Sequence, residues 1–224
     1  MKQDTVDPAV RDGRSSRWDR HRARRRRELV RAAREAVHEL GPGVSMEEIA
    51  AHAGTSKSVF YRYFGDRAGL RRAVAERVTE RVEQRLREAA DSSPDGPSAL
   101  HRMVAECLAV ASSSPAVYAF AITEAEPDAD GAPVLGPFFE RVSHVLADGL
   151  ARALPGEGLW PASPLSLWPR GAVGMVRAVV EAWLAVPADD RPGRDETADA
   201  VTRWLLDGLH APALISPPDQ GALT

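Results

Sequence analysis

Apolar positions recur at helical spacing along nearly the whole chain. No stretch alternates β-branched residues and no Asn-Gly hairpin signal appears, so the pattern predicts an all-α protein with about nine helices. Val30, Ala33, Val37 and Leu40 mark one helix from about Asp19, which Gly41-Pro42-Gly43 stops. Ser45 followed by Glu48 is a capping box, so a short helix starts there, turns Ile49, Ala50 and Ala53 inward and ends at Gly54. Thr55-Ser56 offers the next cap, for a helix from about Ser56 to Phe64 that Gly65 breaks. Asp66 caps a long helix striped by Leu70, Val74, Val78, Val82 and Leu86.

The second half reads the same way. After a Pro/Gly/Ser connection at Ser92–Ser98, Leu100, Met103, Val104, Cys107, Leu108 and Ala111 share a face. Pro115 opens a helix carrying Val117, Tyr118, Ala121 and Ile122, and Glu126–Gly131 is a loop. Val134 to Leu154 shows a broad apolar face with Leu135, Phe138, Phe139, Val142, Val145, Leu146 and Leu150. Residues 155–169 hold four prolines and two tryptophans and cannot form one regular helix. Gly171–Ala185 is nearly uncharged, which predicts a helix buried on most sides, and Asp195–His210 is the last helix. The expected organisation is a flexible basic arm (1–18), a three-helix head (19–65), a larger helical bundle (66–210) and a tail (211–224).

Composition narrows the class. Of 224 residues, 44% are hydrophobic and 27% charged, an ordinary globular balance. With Cys107 alone, an intrachain disulfide and a Cys-rich zinc module are excluded. No apolar run approaches the ~18–20 residues of a membrane span, and MKQDTVD has no apolar stretch behind its charges. A cytoplasmic protein with no membrane partner is the expectation.

Charge distribution says more than the net −3. Residues 1–80 carry 18 Lys and Arg against 12 Asp and Glu, a balance of +6; the remainder carries 11 against 20, a balance of −9. A basic N-terminal third joined to an acidic remainder points to a polyanion at one end. The run Arg20, Arg22 and Arg24–Arg27 reads in isolation as a solvated helix face; beside a DNA-binding motif it reads as backbone or minor-groove contact.

That motif lies at His52–Ser56, where two short helices meet at a glycine turn with polar caps at both starts. This is the pattern of a helix-turn-helix, whose second helix enters the major groove. In SKSVFYRYF, Phe60 and Phe64 face the core, leaving Ser56, Lys57, Ser58, Val59, Tyr61, Arg62 and Tyr63 outward. Tyrosine hydroxyls and Lys57 suit phosphates, and the short residues near the helix start suit base edges.

The stretch SMEEIAAHAGTSKSVFYRYFGDRAGL closely resembles the DNA-binding domain of TetR-family transcriptional regulators, and RRRRELVRAAREAVHELG resembles that family's first helix. The resemblance covers about residues 20–80. It implies a homodimer, usually a repressor of a palindromic operator, released when a small molecule enters the C-terminal bundle. It places Ser45 at a phosphate-contacting helix cap, and Thr55, Ser56, Lys57, Ser58 and Val59 at the start of the recognition helix. Tyr61 and Tyr63 fall at two aromatic phosphate-side positions, with Arg62 between them on a base or phosphate. Arg67 matches a basic residue opening the fourth helix, and Arg24 and Arg25 join the DNA-contacting set. Val59 departs from the small polar residue common there and suits a thymine methyl.

Other signals are weak. Glu126, Asp128, Asp130 and Gly131 have the opening spacing of a calcium loop, but Pro137 stands where the twelfth-position Glu belongs. Gly41-Pro-Gly43 and Gly156-Glu-Gly158 lack the third glycine of a dinucleotide fingerprint, and no Walker lysine or G-x-S-x-G is present. No cofactor or metal is implied. The rival readings are an enzyme with an acid/base site among residues 98–210, for which no catalytic constellation appears, and a basic module that binds duplexes without reading sequence.

Within the bundle, His101, Met103, Cys107, Tyr118, Phe139, His144, Arg177 and Glu181 are the candidate lining of a hydrophobic effector site. Cys107 lies in an apolar stripe and also reads as a core residue, and Arg177 pairs with Glu181 one turn on. The family resemblance places the dimer interface on the last two helices. There Gly174 and Ala178, with Gly171 and Ala182, allow close approach, and Val201, Trp204, Leu205 and Leu209 supply area.

Overall fold

The computed structural model describes residues 8–123, 135–153 and 164–210. The acidic loop at Glu126–Gly131, residues 155–163 with Trp160, and the tail 211–224 lie outside the described residues. Nine α-helices occur among the described residues: α1 Pro8–Leu40, α2 Met46–His52, α3 Lys57–Phe64, α4 Arg67–Asp91, α5 Gly96–Ser113, α6 Pro115–Tyr118, α7 Gly136–Ala153, α8 Trp168–Ala185 and α9 Arg194–His210. A π-helical turn, Ala119–Thr123, follows α6, and a 3-10 turn, Pro164–Leu167, precedes α8. There is no strand among the described residues, and no single helix is long and apolar enough to cross a membrane.

The helix expected from about Asp19 begins at Pro8. Proline suits the first helical turn, where its missing N–H has no intrahelical partner, and the arginines that follow are good helix formers.

The chain divides into two compact units. The first holds residues up to Thr79 together with Ser114–Leu135; the second holds Glu80–Ser113 and residues from Gly136 onward.

In the first unit, Leu29, Val30, Ala33, Ala36 and Val37 of α1 are buried. So are Ile49 and Ala50 of α2, Phe60 and Phe64 of α3, Leu70 and Val74 of α4, and Val117 and Phe120. Ser45 caps α2 with both arms of the capping box: its Oγ accepts from the Glu48 N–H at 3.2 Å, and its own N–H donates to Glu48 Oε2 at 2.8 Å. Gly54 (φ 60°) makes the turn into α3, and Gly65 (φ 79°) closes that helix, its N–H donating to the Tyr61 carbonyl at 2.8 Å. Asp66 then caps α4 through its Oδ1, which accepts from the Gly69 N–H at 2.7 Å.

In the second unit, Leu86, Ala89, Met103 and Val142 form a buried cluster, packed by Val82, Ala90, Cys107, Phe138, Val145, Leu146 and Val173. α5 packs along α9, which buries Ala198, Val201 and Leu205. The turn between α8 and α9 is pinned twice. Trp183 Nε1 donates to the Pro192 carbonyl at 2.9 Å, and Arg191 lies 4.7 Å over the Trp183 ring while donating to the Leu184 and Val186 carbonyls.

The stripe expected on α4 drifts. Leu70, Val74 and Leu86 are buried, whereas Val78 and Val82 are half-buried and Thr79 and Glu83 lie in the buried row. Steps of four residues advance 400° on a helix of 100° per residue, so a strict four-residue row walks off any fixed face. Thr79 is satisfied by the Ala75 and Glu76 carbonyls at 2.8 and 3.0 Å. The Glu83 carboxylate is held between Arg87 at 2.6 Å and Arg141 at 2.7 Å.

α8 also departs from expectation. Gly171, Gly174, Met175, Arg177, Ala178 and Ala182 are exposed, so one long face of this helix is uncovered among the described residues.

Candidate nucleic-acid interface

The helix-turn-helix is oriented by two aromatic anchors. Phe60 is fully buried and Phe64 is 9% exposed, with ring centroids 5.8 Å apart. Four residues separate them, so the rest of α3 faces away from the core. Ser58, Tyr61 and Arg62 are exposed, and Lys57, Val59 and Tyr63 are half-buried. Arg62 lies over the Tyr63 ring at 5.5 Å, and Lys57 over the Tyr61 ring at 5.4 Å. Ser56 sits at the N-cap of α3 but makes no side-chain cap bond, and Thr55 is half-buried beside it.

α2 and α3 are tied across their outer faces by an ion pair between Lys57 Nζ and Glu47. The hydrogen bond from Lys57 holds the Glu47 carboxyl below its ordinary range, and Glu47 in turn raises Lys57. Glu48 is lowered by the Ser45 N–H and hydroxyl. Ser45 therefore combines a capping role with a place at the start of α2.

Arg67 opens α4, the position that the family resemblance gives it. Its guanidinium donates to the Val44 carbonyl and, at 2.9 Å, to the Pro42 carbonyl, and lies 5.3 Å from the Phe120 ring. Half-buried, it ties the start of α4 to the turn between α1 and α2. Arg24 and Arg25 lie on α1 and share Glu28, at 3.6 and 3.2 Å.

The eight candidate effector residues fall in both units. Tyr118 belongs to the first unit and the other seven to the second. Met103 is buried in the apolar cluster and Cys107 packs against it. Desolvation, with a smaller effect of Glu106, pushes the Cys107 thiol up to about 12. His101 pairs with Asp199 of α9 at 2.9 Å, and His144 is exposed on α7. Arg177 bonds Glu181 at 2.8 Å and lies 5.3 Å over Phe139, as the one-turn spacing predicts.

The proposed dimer residues split in two. Gly174 and Ala178 are exposed, and Trp204 is 56% exposed. Val201 (1%) and Leu205 (3%) are instead buried in their own chain, because α9 turns that row toward α5. Sequence reasoning missed Gly69, Glu83 and Arg141, whose roles depend on partners distant in sequence or on backbone proximity.

Comparison with known proteins agrees with this geometry. A model of bacterial regulatory proteins of the tetR family matches residues 29–74. An HTH-type transcriptional regulator of Mycobacterium tuberculosis is 31% identical over 192 residues, covering 85% of this chain and 80% of that protein. The TetR-like regulator LfrR of Mycobacterium smegmatis, solved with proflavine, is 26% identical with a TM-score of 0.58, covering 85% of this chain and 97% of that one. FadR of Bacillus subtilis, solved with stearoyl-CoA, shares the fold at a TM-score of 0.66 and 14% identity, covering 81% and 97%.

Proposed function

Because this chain belongs to the tetR family of bacterial regulatory proteins, we propose that it is a repressor that binds a palindromic operator as a homodimer and is released by a hydrophobic small molecule. The observation that carries the reading is α3 itself, whose two buried phenylalanines present Ser58, Tyr61 and Arg62 outward together. Ser56, Ser58 and Val59, near the helix start, read bases, and Lys57, Tyr61 and Tyr63 hold phosphates. Ser45 and Thr55 complete the set, with Arg62 on either partner. The chain acts by binding in the cytoplasm and carries out no reaction.

The dimer forms through the uncovered face of α8 and the exposed Trp204 of α9. At Gly171 and Gly174 a Cβ would meet no atom of the described residues within 4 Å. Glycine in a helix interior costs about 1 kcal/mol relative to alanine, so two on one open face favour close approach of a partner helix.

The effector site lies in the second unit, around the apolar cluster with Met103 and Cys107. The family likeness supports this class of ligand, since LfrR was solved with proflavine and the FadR fold relative with stearoyl-CoA. Selection of binding sites from a randomised duplex library tests the central reading. A short palindrome is expected, and recovery of no sequence would overturn it.

A further inference from the structure

We propose that the turns of α1 before Leu29 are a second DNA-gripping element, which holds backbone phosphates outside the helix-turn-helix footprint whatever the base sequence. The proposal rests on the DNA-binding reading above and extends it to a segment that precedes the matched family domain, which begins at residue 29.

Three observations carry it. First, Trp18–Glu28 holds six arginines against Asp19 and Glu28, a balance of +4 from charged side chains. Second, the segment has no core to serve. From Trp18 onward, burial on α1 starts at Leu29, residues 18–24 are all exposed, and Trp18 is 62% exposed. A helix that is polar all round normally bridges to something else. Its only apolar residues are Trp18 and Ala23, so it has no stripe for a membrane surface or a hydrophobic groove. Third, the ion pairs that these guanidiniums make are solvent-exposed ones, which phosphates can replace. Arg24 and Arg25 share Glu28, Arg26 reaches Glu76 on α4 at 3.5 Å, and Arg22 stacks over Trp18 at 5.5 Å.

The chemistry that fits is a dense, regular array of phosphates. Eleven helical residues span about 16 Å, and duplex DNA carries one charge per ~1.7 Å of axis. Arginine forks bind phosphate oxygens in pairs, and arginine is less strongly hydrated than lysine. The segment shares α1 and the first unit with α2 and α3, so it strengthens binding without adding base recognition.

The test uses the full chain with Arg20, Arg22, Arg24 and Arg27 all replaced by Gln, which keeps helix propensity. The probe is a random-sequence duplex of about 40 base pairs, titrated by fluorescence anisotropy from about 50 to about 300 mM salt. Removing one arginine from its phosphate flattens the log–log salt slope by about 0.9. We expect the variant's slope to fall by one unit or more, with binding at low salt at least ~10-fold weaker. An Arg62→Ala chain serves as the reference for weakening within the motif. Should the fourfold variant unfold, the Arg20→Gln, Arg24→Gln pair is measured against the same criterion, scaled to a fall of at least half a unit. An unchanged slope and affinity would overturn the proposal, as would loss of binding to anionic phosphatidylserine vesicles with duplex binding intact. A wild-type chain that binds no duplex would instead sink the underlying DNA-binding reading.

Discussion

The backbone of Gly69 passes so close to the carbonyl of Phe64 that a Cβ at position 69 would overlap that oxygen. The contact joins the last residue of α3 to the first turn of α4, and Asp66 caps the same turn through the Gly69 N–H. Backbone has no rotamer through which to yield. Gly69→Ala should therefore destabilise the fold by about 2 kcal/mol or more. Thermal denaturation reads this directly; a Tm unchanged from wild type would mean that α3 and α4 shift apart at little cost.

The capping box at Ser45 gives a prediction with a pH dependence. Ser45→Ala should cost about 1 kcal/mol. Ser45 holds the Glu48 carboxyl below its ordinary value of 4.5 in the folded state. A depressed carboxylate stabilises the fold above its unfolded value, and that contribution is lost as pH falls through the folded one. The gap between wild type and Ser45→Ala in urea unfolding should thus be widest near neutrality and narrow below about pH 4.5. A gap independent of pH would show that the hydroxyl acts without the Glu48 charge.

Cys107 should be inert in the native state. Its thiol is raised from 9.0 to about 12, so almost no thiolate forms near neutral pH. Alkylation by iodoacetamide at pH 8 should follow global unfolding, with protection lost only in denaturant. The raised value also means that its contribution to stability is complete below pH 9.0 and declines as pH rises toward 12, because only the unfolded thiol ionises in that window. Cys107→Ala should remove this decline.

On α9, adjacent residues should fail in different ways. Leu205 is 3% exposed and Trp204 56%. Leu205→Ala should lower stability by about 2–5 kcal/mol through the cavity it leaves. Trp204→Asp should leave helicity by circular dichroism unchanged and shift light scattering toward the monomer. A Trp204→Asp chain that stays dimeric at micromolar concentration would move the interface off this face.

In DNA binding, Tyr61→Phe should weaken all sequences alike, by about 3–10-fold for one hydrogen bond. Substitutions at Ser58 or Val59 should instead change the preferred bases. Site selection with each variant separates the roles; altered preference from Tyr61→Phe alone would reverse the assignment.

What could be read in the sequence was local. The Ser45–Glu48 box, the turn at Gly54 and the Phe60/Phe64 spacing each fit within a few residues, and each determines its own geometry. Arg67 could not be placed that way, because its carbonyl partners lie 23 and 25 residues earlier. The burial of Glu83 has no local signal, because Arg141 is 58 positions away. For Val201 and Leu205, apolar periodicity identifies a buried face without identifying what buries it. α5 of the same chain covers that face, while the small residues of α8, which the sequence places at the same interface, are exposed.

The bracing of the last turn has a mechanical consequence. With Trp183 bonded to Pro192, and Arg191 both stacked on that indole and bonded to the end of α8, this hairpin behaves as a splint. Were the proposed effector to enter, the joined ends of α8 and α9 would have to move together, and the shift would pass to α7 and α5, which pack along them. Loosening the splint, for example by Arg191→Ala, would uncouple those ends and blunt the proposed response even where effector affinity is unchanged.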